Sequence, residues 1–304
     1  MAAAALRRLT GVAPALVGLA AAAHVVTPDA VAGAGARAAA LEAALAAALC
    51  LSGLLYLAGL LRIWRRAGRG HGVRAGQAAA FALGWSVLAV ALVSPIDAWG
   101  ARLFSAHMLQ HELLMVVAAP LLVLGRPFGA WLFGLPAGWR RAVGRATRTP
   151  RWRRGWHAIT GPLAAWSLHG AALWIWHVPA LFDAALASPG LHALQHLSFL
   201  ATALLFWWPV LGPAARRQPG AALISLFTTM LHTAALGALL ALAESPWYAA
   251  YAAAAPAAGW DALADQQLGG LIMWVPAGTG YVAAALAIAA RCLRVPERMA
   301  SAST

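Results

Sequence analysis

The chain has 304 residues, 62% of them hydrophobic and 10% charged, and its 22 arginines against 9 acids (lysine is absent) give a net charge of +13. A water-soluble domain carries about 25% charged residues, so composition excludes a single soluble core. Nucleic-acid binding is excluded by placement, because the arginines lie between apolar runs and not on one basic face.

At the amino terminus, Arg7 and Arg8 precede a short apolar stretch, Leu9 to Ala22, that ends in small residues. This layout predicts a secretory signal over 1–23; an uncleaved extra span is the alternative. Cleavage after Ala23 would expose His24, whose free amine and imidazole together form a copper chelate. Seven apolar runs follow, at roughly 39–61, 77–96, 105–124, 159–178, 190–211, 220–243 and 265–290. Each is long enough to cross a hydrocarbon core about 30 Å thick as a helix, the form that satisfies backbone groups internally in lipid. The predicted fold is an all-α, polytopic bundle of about seven spans, one transmembrane domain over 24–290 with a short tail at 291–304.

Arginine sets the expected orientation. Arg62, Arg65, Arg66, Arg69 and Arg74 follow the first run, and eight arginines occupy 125–158. Arg216 and Arg217 follow the fifth run, and Arg291, Arg294 and Arg298 the seventh. With alternating helices all fall on one side, which the positive-inside rule assigns to the cytoplasm together with the carboxyl terminus. The outward side collects Asp29, Asp97, Asp183, Glu244, Asp261 and Asp265. Trp99, Trp247, Tyr248, Tyr251 and Trp260 also lie there and read as an interfacial aromatic belt.

Two segments echo each other. Trp85-Ser86 opens one, followed by Pro95, Asp97 and His107-Met-Leu-Gln-His111; Trp166-Ser167 opens the other, followed by Pro179, Asp183 and His192-Ala-Leu-Gln-His196. Each reads as two helices joined by an outward loop, the HxxQH set starting the second helix. Histidines four apart share one helix face about 6 Å apart along the axis. His177 closes the fourth run at the same level, and Asp265-Gln266-Gln267 opens the seventh. Met273 lies two turns below Gln266 on one face, and Gly269-Gly270 allows close helix approach.

Imidazole with thioether suits copper, and imidazole alone suits several transition metals. The candidate metal ligands are therefore His107, His111, His177, His192, His196, Gln266 and Met273. The competing reading is that these histidines satisfy interhelical hydrogen bonds. His169 and His232 lie deeper and read as buried hydrogen-bonding residues. Cys50 and Cys292 are far apart and form no thiolate site. A phosphate loop, a serine nucleophile elbow and HExxH are all absent, so nothing points to an enzyme.

These motifs resemble the CtaG-type cytochrome c oxidase assembly factors of bacteria, the family associated with caa-type oxidases. The resemblance is carried by residues 94–127, 173–186, 191–217 and 265–278 and extends over about 40–290. It implies a multi-pass protein of the bacterial plasma membrane, with cytochrome c oxidase subunits and the lipid bilayer as partners and a role in delivering copper. The family motif falls on Asp97, His107, His111, His177, His192, His196, Asp265 and Gln266; copper ligation by any of them is an inference from their chemistry. Two other functions stay open. A haem-binding membrane cytochrome could use His107 or His111 opposite His192 or His196. A copper transporter, ranked third, would need polar residues along the whole path, whereas the inner halves of the spans are almost purely apolar.

Overall fold

Apolar length in lipid dictates helix, and helix is what the computed structural model contains; it describes residues 28–212 and 218–300, with side chains at 36, 38–212 and 218–293. The predicted signal segment 1–23, His24, Arg216 and Arg217 lie outside the described residues. From Leu41 onward the chain forms one compact unit; the stretch before it is described only as helix from Pro28.

The helices are α1 (Pro28–Ala67), α2 (Ala75–Val93), α3 (Pro95–Gly100), α4 (Phe104–Glu112), α5 (Ala119–Gly125), α6 (Pro127–Gly134), α7 (Ala137–Ala146) and α8 (Pro150–Ile159). They continue with α9 (Pro162–Trp176), α10 (Pro179–Ala187), α11 (Pro189–Leu211), α12 (Pro219–Ala241), α13 (Ala249–Ala257) and α14 (Ala262–Ala300). No strand occurs among the described residues. Among the described residues six helices are long and apolar enough to span a bilayer: Ala38–Ala67, Ala75–Val93, Phe104–Gly125, Pro189–Leu211, Pro219–Ala241 and Ala262–Leu293. Large apolar side chains such as Leu54, Leu163, Ile224 and Leu286 are more than 60% exposed, an arrangement that only a lipid surrounding stabilises. The all-α polytopic expectation is borne out.

The fourth expected span is broken. α9 has 15 residues, too few to cross on its own. After a break at His177 and Val178 the chain resumes as α10, bent by 78°. The cause is local: Pro179 has no N–H to continue the ladder and biases Val178 to its extended conformation (φ −63°, ψ 123°). The third span changes winding instead, through a π-helical turn at Leu113–Ala118 between α4 and α5. There Trp207 of α11 donates its indole N–H to the Met115 carbonyl at 2.8 Å.

Close crossings use glycine where the sequence offers it. A Cβ on Gly270 would fall 2.5 Å from the Ala241 nitrogen and 2.6 Å from the Gly237 carbonyl oxygen, so α12 and α14 pack backbone to backbone. A Cβ on neighbouring Gly269 would collide with the Phe104 ring, so this position brings α14 against the start of α4.

The two echoing segments share one layout: a long helix (α2 or α9), a proline-initiated short helix (α3 or α10), then the helix carrying HxxQH (α4 or α11). Chain order places the starts of α4, α11 and α14 and the end of α9 at one end of the bundle. The arginine-rich helices α7 and α8 follow the far end of the α4–α5 span.

Candidate metal centre

The site begins with the first turn of α4. A helix start leaves backbone N–H groups without partners and carries partial positive charge. The carboxylate of Asp265, fully buried at the start of α14, takes them up: Phe104 N–H donates to Oδ2 at 2.6 Å and Ser105 N–H to Oδ1 at 3.1 Å. The Ser105 hydroxyl donates to the same Oδ1 at 2.5 Å. This anchor sets the height and rotation of α4, so His107 and His111 point toward α11. Gln110 fixes the other side, donating both N–H bonds, to the Ala91 carbonyl and to Asp97 Oδ1, each at 2.8 Å.

A roof made from residues 243–260 closes this end. Asp183 accepts from the Ala249 and Ala250 amides at 3.2 and 3.3 Å, capping α13. Gln266 Oε1 accepts from Trp247 N–H at 2.6 Å, and Gln267 donates to the Ala243 carbonyl at 3.0 Å. Tyr248 donates to the His177 carbonyl and Tyr251 to the Gly100 carbonyl. Tyr248 and Tyr251 were expected in an interfacial belt; instead they are 1% and 2% exposed, Tyr248 stacked on Phe104 and tilted against Phe182, and Tyr251 edge-on to Phe104. Burial pushes both phenols above their usual range, helped by Asp183 beside Tyr248 and by Asp265 beside Tyr251, so both remain hydrogen-bond donors. Trp99 and Trp260 do sit exposed, as a belt requires.

Under this roof the histidines converge. Ring centroids lie 4.3 Å apart for His107–His111, 4.2 Å for His192–His196, 5.2 Å for His107–His192, 5.7 Å for His107–His196 and 5.2 Å for His111–His196. His107, His192 and His196 each offer a ring nitrogen within 4.8 Å of the others. An ion with metal–nitrogen bonds of about 2.0 Å wants its ligand nitrogens about 3.3–3.5 Å apart, a difference that small ring rotations span. His177 flanks the group, 6.4 Å from His111. His107, His111, His177 and His196 are buried, and His192 is partly exposed, which makes it the side of access.

What these rings lack is more telling than what they touch. Both nitrogens of His107 and of His111 are buried with no hydrogen-bond partner, as are Nε2 of His177, His192 and His196. Buried polar atoms are nearly always satisfied, and these seven imidazole nitrogens in one cluster have hydrogen-bonding capacity that no protein group takes up. His177 also reveals its tautomer. Its Nδ1 lies 2.7 Å from the Leu173 carbonyl, which only accepts, so Nδ1 carries the proton and Nε2 a free lone pair. The histidine-rich, acid-poor interior fits a transition-metal ion bound by neutral imidazole.

The remaining predicted ligands sit differently. Gln266 has its oxygen engaged by the roof, leaving its amide nitrogen, a donor, unpartnered. Met273 belongs to the buried apolar cluster that also holds Phe104, Met108 and Tyr251. Gln195 was legible only as part of the HxxQH repeat; it is fully buried with both amide atoms unpartnered, unlike Gln110, and joins the set of candidate polar groups.

Fold and site together define a polytopic helical membrane protein with a buried polyhistidine cluster at one end of the bundle. The chain matches the family profile described as cytochrome c oxidase caa3 assembly factor (Caa3_CtaG) over residues 54–295 and belongs to that family. It is 28% identical over 256 residues to uncharacterized proteins of Mycobacterium bovis and Mycobacterium tuberculosis, covering 81% of this chain and 38% of theirs. A Mycobacterium leprae protein is likewise 28% identical over 270 residues, 82% of this chain and 38% of its own. The chain thus spans well under half the length of these relatives. No solved structure matches it.

Proposed function

We propose that this membrane protein serves oxidase assembly by holding copper in its polyhistidine cluster and passing it to a cytochrome c oxidase subunit. The observation that carries the reading is the seven orphaned nitrogens on five converging histidines. His107, His192 and His196 would hold the ion, with His111 beside them and His177 on the flank. Neutral imidazole without thiolate binds copper moderately, which suits a donor that must release its cargo. The positive-inside rule supports placing the cluster at the outer membrane face, since it lies at the opposite end of the bundle from α7 and α8, where the arginines gather. The carboxyl terminus is then cytoplasmic.

Ring spacing favours an ion over haem. Rings 5.2–5.7 Å apart across the α4–α11 interface would have to separate to admit a porphyrin between them. The test is copper and iron analysis of the purified protein and of the His107→Ala/His111→Ala variant, paired with oxidase copper content in cells carrying each. Copper that falls in the variant, with copper-deficient oxidase, supports the reading. Stoichiometric iron would replace it with the haem reading. Absence of both metals in the loaded wild type would overturn metal handling altogether.

A further inference from the structure

The end of the bundle far from the histidines carries a dense basic surface. Eight arginines lie between 125 and 158, and no acid occurs between Glu112 and Asp183. A topology signal needs only their presence in a loop, but α7 and α8 give them a shape. On α7, Trp139 and Val143 share one face, and Arg141 and Arg145 take the opposite one. On α8, Trp152, Trp156 and Ile159 form one stripe, with Arg154 opposite and Arg153 and His157 on its flank. Neither helix has a buried residue, and Trp139 and Trp152 are 68% and 52% exposed. The α8 stripe sits at membrane-interface depth. Trp156 packs edge-on against Phe128 at 6.2 Å and Trp208 at 5.6 Å, and Trp208 lies in the last turn of α11. Trp152 stacks on Trp156 with ring planes 7° apart. Other arginines here are engaged by protein: Arg62 donates to the Phe133, Gly134 and Leu135 carbonyls, and Arg140 lies over the Phe133 ring. Arg148 and Arg153 are exposed instead, and with Thr147, Trp152, Trp156 and His157 they border a cleft of about 360 Å³.

We propose that this cleft binds an anionic phospholipid of the adjoining leaflet, with its phosphate on Arg148 and Arg153 and its glycerol and upper acyl chains on Trp152 and Trp156. A guanidinium presents paired N–H groups that match two phosphate oxygens. Indole, apolar with one N–H, suits the boundary between headgroups and acyl chains. The cleft falls within the range of small-ligand sites, about 300–1,000 Å³. Two observations favour a lipid over a soluble anion. The aromatic wall continues through Phe128, which is exposed, and Trp208 onto the outer surface of the bundle. Trp139, Val143 and Ile159 also leave an exposed apolar face that a small soluble phosphate would not cover, whereas a pair of amphipathic helices lying in the membrane interface buries it.

The test is a lipid titration of the full-length, delipidated protein in detergent, with bound lipids counted by native mass spectrometry. Phosphatidylglycerol and phosphatidylcholine of matched acyl chains are compared on three forms: wild type, Arg148→Gln/Arg153→Gln and Arg65→Gln/Arg66→Gln. The last removes the same charge from exposed positions in the last turn of α1, at the same end of the bundle. Wild type should hold one phosphatidylglycerol at concentrations where phosphatidylcholine does not bind. Arg148→Gln/Arg153→Gln should weaken that binding by about 25-fold, each arginine at an anionic surface contributing about a factor of five, and Arg65→Gln/Arg66→Gln should leave it unchanged. Excess soluble glycerol 3-phosphate should fail to displace the lipid. Equal weakening in both double variants would reduce the effect to diffuse surface charge and overturn the site. Tight phosphatidylglycerol binding that survives Arg148→Gln/Arg153→Gln would place the lipid elsewhere and overturn it too. Displacement by glycerol 3-phosphate, or no preference for phosphatidylglycerol in wild type, would overturn the lipid assignment.

Discussion

Replacing Asp265 by Asn tests whether one buried carboxylate positions the histidine helix. Asp265 accepts three hydrogen bonds at the start of α4, two from backbone amides and one from the Ser105 hydroxyl. Asparagine keeps one acceptor oxygen and turns an NH2 group toward the donors that the second oxygen satisfied. At least one charge-assisted bond, worth about 1.5–3 kcal/mol, is lost together with about 0.3–1 kcal/mol of helix-dipole interaction, so a loss of about 2–4 kcal/mol is expected. The consequence for the site follows from geometry. His107 and His111 sit on the first two turns of α4, and a shift of that end breaks their register with His192 and His196. Changes to groups that orient metal ligands typically lower affinity by about 10–100-fold. Asp265→Asn should therefore unfold earlier in detergent without metal, and bind copper about 10–100-fold more weakly in competition with a chelator. An unchanged unfolding midpoint together with unchanged affinity would refute the anchoring role.

Tyr251→Phe removes the donor to the Gly100 carbonyl at a buried position and should cost about 1–2 kcal/mol in thermal unfolding, while Trp99→Phe, at a site 60% exposed, should leave the midpoint unmoved. Gly270→Ala places a Cβ against the backbone of α12 and should cost about 1–3 kcal/mol, read as a lower unfolding midpoint in detergent. Orientation is checked with reporters: a fluorescent protein fused after Thr304 should light up in the cytoplasm, and alkaline phosphatase inserted within 250–258 should be active outside. The opposite pattern would invert the proposed topology and place the cluster at the inner face.

Much of this architecture was legible in the chain because lipid leaves it little choice. Each apolar run had to be a helix, and HxxQH at two places had to project its histidine pairs from single faces. What the pattern concealed was local. The run 159–178 has the hydropathy of a span, yet Pro179 and the His177 contact to Leu173 end α9 after 15 residues. Tyr248 and Tyr251 have the composition of a membrane-interface belt, and their burial comes from Asp183, Gln266 and Gln267, which draw 243–260 inward over the helix ends. Nothing in linear spacing distinguishes Asp265 as a helix anchor from Asp261, which accepts only from the nearby Ala264 amide.

Sequence alone determined the class of protein, six of its seven expected spans, its arginine asymmetry and the residue types available for chemistry, since hydropathy and helical period act over short distances along the chain. Only the tertiary structure decided which histidines meet. Convergence of α4 on α11 depends on Asp265 reaching across from α14 and on Gly269 admitting the Phe104 ring, contacts between positions more than 150 residues apart. The same packing buries the imidazole nitrogens without protein partners, and that property is invisible in any one helix because it arises from how several helices pack together.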